Sequence, residues 1–389
     1  MAEPSAGWGL ATRALHVGQG PDPATGAVVQ PIHLATTFAQ DGVGGHRGFE
    51  YSRSGNPTRA ALEECLASLE GARHAFAFAS GLAASATLLL ATLRAGDHIV
   101  LGDDVYGGTY RLVANVLDAY GIRVTRVDTR DPDAIAGAVT DDTRVVWLET
   151  PTNPLMRLAD IAAVAERVRG RALLCVDNTF ATPVLQRPLE HGADVVVHSA
   201  TKYLGGHSDV LGGALVTSDD EVAARLRFHQ NAIGAVPSPF DCWLLLRGIK
   251  TLVLRVRAQG ESALTVARML EDHPLVRAVH HPGLPSHPQN ALATRQMSGY
   301  GAMLSFEVAG EPEALAVLGA LRVITLAESL GAVESLAEHP ARMTHASVPA
   351  ELRDAVGVTG GLVRLSVGAE DVEDLLSDLD QALDAATRG

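Results

Sequence analysis

The chain has 389 residues, 47% apolar and 20% charged, with a formal net charge of −14. At roughly 150 residues per domain this length suggests two or three domains, and the acidic balance argues against nucleic acid as a partner. No apolar run is long enough to span a bilayer, and the opening "MAEPSAGWGLATR" lacks the charged start and apolar stretch of a signal peptide, so no membrane partner is expected. Residues 1–52 are rich in Gly, Pro and Thr with little periodicity, and read as an extended N-terminal arm. Strands and helices then alternate. "HAFAFAS" (74–80), "HIVLGDD" (98–104), "VTRVDT" (124–129), "VVWLET" (145–150), "LLCVDNTF" (173–180) and "DVVVHSA" (194–200) are short apolar or β-rich runs. Between them, 82–96 and 107–121 read as helices closed by Gly96 and Gly121. Strands apolar throughout, separated by helices, predict an α/β fold with a mostly parallel sheet covered on both faces.

A helical zone is expected over 243–259, followed by strands at 302–308 and 362–367. A last helix carries Val372, Leu375, Leu376, Leu379 and Leu383 on one face. Cys65, Cys175 and Cys242 are sparse, odd in number and far apart, which fits buried thiols in a reducing cytoplasm rather than a disulfide framework or zinc site. The histidines, among them His191, His198 and His207, match no metal-ligand spacing, and no metal is expected.

Lysine occurs only twice, at Lys202 and Lys250, while the other 29 basic residues are arginine. Arginine replaces lysine wherever a surface charge suffices, but its guanidinium stays protonated and cannot act as a nucleophilic amine. A lysine kept in "HSATKYLGGHSDVLGG" (198–213), among small residues, is therefore a candidate for chemistry. In open parallel sheets, ligands gather beyond the carboxyl ends of strands. Asp177 ends one predicted strand and Lys202 follows another, so both can face one crevice. A strand-end carboxylate with such a lysine suits pyridoxal 5'-phosphate: the amine holds the cofactor, and the carboxylate keeps its ring nitrogen protonated. The phosphate needs amides at a helix start; Ser80 and Gly81 in "ASGLAAS" (79–85) lie between a strand and a helix, and Ser199 and Thr201 flank the lysine. Taken singly, Asp177 also reads as a cap or turn residue and "SGLAA" as an ordinary helix start.

Taken together these residues resemble the Cys/Met-metabolism pyridoxal phosphate enzymes. The resemblance is carried by "EYSRSGNPTR" (50–59), "AFASGLAA" (77–84), "DDVYGGTYR" (103–111), "ETPTNP" (149–154), "VDNTF" (176–180), "HSATKYLGGHSD" (198–209), "GAVPSPFDC" (234–242), "LAESLG" (326–331), "MTHAS" (343–347) and "RLSVG" (364–368), in order along nearly the whole chain. It implies the aspartate aminotransferase-type fold. The implied parts are the arm over 1–52 contacting a neighbouring subunit, a large cofactor domain over 53–253 and a smaller α/β domain over 254–389. It further implies a homotetramer built as a dimer of dimers with shared active sites.

Residue by residue, the resemblance makes Lys202 the cofactor lysine and proton shuttle, Asp177 the ring-nitrogen partner, and Tyr106 the aromatic against the ring. Gly81, Leu82, Ser199 and Thr201 become phosphate ligands, with Tyr51 and Arg53 reaching the phosphate of a neighbour. Asn153 and Arg364, with the backbone near Ser329, become the substrate carboxylate site. Glu50, Arg111 and Glu328 match the distal end of the pocket for an amino-acid substrate. The implied reaction is γ-elimination of cystathionine to cysteine, 2-oxobutanoate and ammonia. The alternative is γ-replacement, which makes cystathionine from an O-acylhomoserine and cysteine. Methionine γ-elimination is less consistent, since Gly107-Gly108-Thr109 follows Tyr106 where such enzymes carry a cysteine. A non-catalytic relative would be expected to have lost Lys202, Asp177 or Arg364, and all three are present.

Overall fold

The computed structural model describes residues 7–346 and 348–386, so Ser347 of the "MTHAS" motif and the first six residues lie outside the described residues. Seven strands form the central sheet: β1 (His74–Phe78), β2 (His98–Gly102), β3 (Arg123–Val127), β4 (Thr143–Glu149), β5 (Leu173–Asp177), β6 (Val195–Ser199) and β7 (Gly213–Thr217). Their spatial order is β1-β7-β6-β5-β4-β2-β3. The run from β6 to β3 is parallel throughout, whereas β7 is antiparallel to both β1 and β6. The sheet is thus mostly parallel, as its uniformly apolar strands predict. Trp147, Val195, Val197 and Leu215 feed one apolar layer, and Val146, Leu148, Val196 and Val216 belong to apolar clusters apart from it. Strand β7 escapes the sequence reading because "GALVT" continues a glycine-rich loop without a preceding helix.

A second sheet is built from β8 (Ala278–His280), β9 (Met303–Glu307), β10 (Thr325–Leu326), β11 (Leu336–Glu338) and β12 (Leu362–Ser366), in the order β10-β11-β12-β9-β8. It is antiparallel except between β10 and β11. The closing helix Val372–Ala386 buries Leu375, Leu379 and Leu383, with Val372 and Leu376 packed beside them, as its stripe requires.

Three expectations change. The helix expected over 82–96 spans Gly81–Thr92; Leu93 leaves it in extended conformation, and Gly96 (φ 90°) serves the turn into β2. The zone over 243–259 is two helices, Pro239–Ile249 and Leu252–Asp272, broken at Thr251 (φ −105°, ψ 4°). The second of these runs across the boundary expected at residue 253. The break seats the first helix on the lysine loop: a Cβ on Gly248 would come within 2.2 Å of the Gly205 carbonyl oxygen, so no larger residue fits. Third, the arm is not extended from its start. Leu10–His16 is a helix with Ala14 buried, and Arg13 donates to the Ser68 carbonyl of helix Pro57–Glu70. Beyond it the stretch up to residue 52 has little regular structure, with one bridge between Thr37 and Tyr51. Among the described residues no helix is long and apolar enough to cross a membrane.

Candidate active site

The carboxyl ends of β4, β5 and β6 open onto a cavity of about 230 Å³. Lys202, Asp177, Tyr106, Gly81, Leu82, Ser199, Thr201, Asn153, Glu328, Ser329 and Arg364 all line it. They come from sequence positions more than 280 residues apart (Gly81 to Arg364), and the two sheets bring them together.

Lys202 follows β6 in a tight loop closed by the Gly206 amide on the Lys202 carbonyl. Its Nζ donates to Ser329 Oγ at 2.9 Å. Among the described residues no carboxylate pairs with it directly. Burial, and next the nearby Arg364 charge, pull the ammonium down to about 8, against weaker support from Glu338 and Glu328. Ser329 holds a left-handed backbone (φ 95°), unusual for a residue with a side chain, and its carbonyl accepts from Arg364 Nη2 at 2.7 Å. Gly331 and Ser329 hold this loop against the lysine loop. Gly331 (φ 76°) lies so near Tyr203 that a Cβ would reach its amide at 2.7 Å, and Ser329 bridges Lys202 to Arg364.

Asp177 ends β5 and is paired in register with Glu149 at the end of β4. Asp177 Oδ1 accepts from the Thr179 amide at 3.0 Å and its hydroxyl at 2.5 Å, leaving Oδ2 uncommitted among the described residues. Burial raises the Asp177 carboxyl, and the two Thr179 bonds pull it back. Glu149 is driven well up, first by burial and then by Asp177. It accepts from the backbone amides of Tyr106 at 2.9 Å and Asn153 at 3.1 Å, tying both loops to the sheet. Tyr106 lies over Gly108, where a Cβ would meet the ring at 2.3 Å. At the opposite end, the amides of Gly81 and Leu82 head the helix Gly81–Thr92, where no intrahelical acceptor exists for them. Gly81 is pressed on Ser199, since a Cβ there would lie 2.9 Å from the serine Cβ.

Four anticipated residues do not line this cavity. Tyr51 is exposed, with the Arg53 guanidinium 5.5 Å from its ring centre, and Arg53 Nε donates to Asn231 Oδ1 at 3.3 Å. Glu50 is exposed and pairs with His46 at 3.4 Å, and Arg111 is exposed at the end of helix Gly107–Arg111. His198 is turned away from chemistry: its Nε2 lies 2.5 Å from Glu70 Oε1 in a buried pair. Glu149, Thr179, Glu338 and Thr344 belong to the site without having been singled out. Thr179 alone left a trace, as a hydroxyl residue two places after the strand-end aspartate in "VDNTF".

This arrangement fits pyridoxal phosphate. It offers a largely buried amine of lowered pKa, a carboxylate oxygen left over at a strand end, a cavity lined by the Tyr106 side chain, and a helix start with free amides. The cystathionine γ-synthase of Mycobacterium tuberculosis strain H37Rv is 56% identical over 378 residues, covering 96% of this chain and 97% of that one. The cystathionine γ-lyase of Mus musculus is 53% identical over 381 residues, covering 97% and 96%. The crystal structure of Xanthomonas oryzae cystathionine γ-synthase in complex with aminoacrylate and cysteine superposes with a TM-score of 0.96 at 46% identity, covering 98% of this chain and 99% of that one. The pattern of the Cys/Met metabolism PLP-dependent enzymes matches residues 11–384, and the chain belongs to that family of pyridoxal phosphate-dependent enzymes with its type I fold.

Proposed function

We propose that the protein cleaves cystathionine by γ-elimination to cysteine, 2-oxobutanoate and ammonia. The observation that carries this reading is the convergence of Lys202, Asp177, Arg364 and Glu328 on one cavity, with Ser329 joining Lys202 to Arg364. Pyridoxal phosphate, when bound, supplies the sink for the electrons left on the substrate carbon after proton loss. Lys202 would hold it through the amine, Asp177 would face its ring nitrogen, and Tyr106 its ring. The amides of Gly81 and Leu82 and the hydroxyls of Ser199 and Thr201 would take its phosphate.

Arg364 and Asn153 orient the substrate carboxylate. An amine that titrates near pH 8 carries and gives up protons readily at neutral pH, which suits Lys202 to moving protons at the substrate Cα and Cβ. Tyr106, which lines the cavity, would give a proton from its hydroxyl to the leaving sulfur. Glu328 presents a carboxylate to the distal ammonium of cystathionine.

A second reading is γ-replacement to form cystathionine, since relatives named γ-synthase and γ-lyase are similar to the chain to nearly the same degree, 56% and 53% identical. The two separate when the protein is given cystathionine alone, and then O-succinyl- or O-acetylhomoserine with cysteine. Faster 2-oxobutanoate release from cystathionine supports the lyase. Faster cystathionine formation in the second mixture supports the synthase.

The position of Tyr51 and Arg53 outside their own cavity supports a homotetramer in which each arm, with Glu50, completes a neighbour's site. Arg53→Ala and Lys202→Ala, each inactive alone, should then restore activity when co-expressed, because one site of a hybrid dimer carries neither change. Confirmed hybrids without activity would place Arg53 in its own subunit's service.

A further inference from the structure

Arg364 is buried together with a carboxylate that a substrate does not need. It lies on β12 opposite Glu338 on β11 in the antiparallel register. Glu338 Oε1 is 2.9 Å from Arg364 Nη1, and the two residues are 0% and 2% exposed. Oε1 also accepts from Thr344 Oγ1 at 2.7 Å, while Oε2 is buried without a partner among the described residues. Arg364 is already aimed by neutral acceptors: Nη1 donates to Asn153 Oδ1 at 2.9 Å and Nη2 to the Ser329 carbonyl at 2.7 Å. Its Nε is buried and has no partner among the described residues. Burying a second charge is costly, and hydrogen-bond geometry alone does not call for one here. What Glu338 adds is negative charge in a low-dielectric pocket, where it acts on whatever anion Arg364 receives.

We propose that Glu338 is a positioning residue that tempers Arg364. By offsetting most of the guanidinium charge, it makes carboxylate recognition depend on hydrogen-bond direction and keeps product carboxylates from being retained. The inference rests on the reading of Arg364 as the substrate carboxylate residue. An unopposed buried cation beside Lys202 would hold any small anion, including a 2-oxo acid product. With Glu338 opposite, Arg364 contributes direction, and the net attraction left for an anion is modest. Burial pushes the Glu338 carboxyl up, and the Arg364 guanidinium 2.9 Å away pulls it down.

The test is direct binding of propionate, a carboxylate with no amine to react, to the holoenzyme by calorimetry. Glu338→Gln keeps size and removes charge, so propionate should bind on the order of ten-fold more tightly. Glu338→Asp draws the charge back from Arg364 and should tighten binding by about two- to three-fold. A purely structural role would lower Tm and leave the dissociation constant unmoved. If Glu338→Gln does not fold, Glu338→Asp must still tighten binding. Either variant folding and binding propionate no more tightly than the parent overturns the proposal. Arg364→Gln separates the two readings: if it leaves propionate binding unchanged, Arg364 is not the carboxylate residue. If it weakens binding while Glu338→Gln has no effect, only the tempering role fails.

Discussion

The two lysines stand in opposite settings. Lys250 follows the helix Pro239–Ile249 and reaches across to the Leu15 carbonyl at 3.4 Å, placing its cation at the C-terminal end of the helix Leu10–His16. A charge there steadies a helix end and does nothing more. Lys202 is bonded to Ser329 and lies near the charges of Arg364, Glu338 and Glu328, and its proton is loosened to about 8. Scarcity marks both residues equally in the sequence. Burial, and the charges converging on one of them, separate them in space.

The sharpest way to break that contrast is to remove each lysine. Lys202→Ala should lose activity by more than about 1000-fold, while Lys250→Ala stays within about two-fold. Borohydride reduction of the yellow holoenzyme followed by peptide mapping should place the cofactor on Lys202; label on Lys250 would invert the comparison.

Next in size is Asp177→Asn, which leaves the Thr179 bonds to Oδ1 possible but removes the charge facing the ring. It should cost about 2–4 kcal/mol of barrier, roughly 30- to 1000-fold in rate, read in single-turnover kinetics. A normal rate would hand the role to Glu149 beside it.

The third prediction concerns stability. The folded-state pKa of Lys202, about 8, lies below the ordinary 10.5. Between those values the unfolded chain keeps a proton that the folded chain has lost, so cofactor-free protein gains stability as pH rises through this window. Below it the penalty of burying the ammonium is complete. Lys202→Met should therefore stabilise the cofactor-free protein by about 2–3 kcal/mol at pH 7, with the gain fading towards pH 10.5. Urea melts at three pH values test this, and a constant difference would count against it. The smallest effect is at the other lysine: Lys250→Met should cost only about 0.5 kcal/mol at low salt, and less at high salt.

The parts of the site legible in sequence are those set by local pattern. Asp177 and Lys202 end or follow apolar strands, and Gly81 starts a helix, so their shared crevice follows from parallel-sheet geometry. Arg364 was visible only through resemblance, because a buried strand arginine has no local signature. Its partner Glu338 was invisible, since their contact depends on the register of β11 on β12. Glu149 was overlooked for a similar reason: its partners are amides of two loops that only the folded sheet brings near. In the fold, β7 has no crossover helix to announce it, and the helix break at Thr251, whose amide and hydroxyl both turn back to the Gly248 carbonyl, has no proline to mark it.

Strand β7 also governs when the site can come into being. β1 lies at the sheet edge and has β7 as its sheet neighbour, and Gly213 is the register partner of both Phe78 and Ser199. A Cβ at Gly213 would come within 2.1 Å of the Ser80 carbonyl oxygen, so the glycine is seated directly against the start of the helix Gly81–Thr92. As the chain leaves the ribosome, β1 emerges early with no sheet neighbour, and the loop bearing Lys202 is equally unanchored until Gly213 follows it. Joining the Lys202 loop to the Gly81 helix start therefore requires Thr217 to have cleared the exit tunnel, and a nascent chain stalled before Gly213 would expose β1 as an apolar strand without its sheet neighbour.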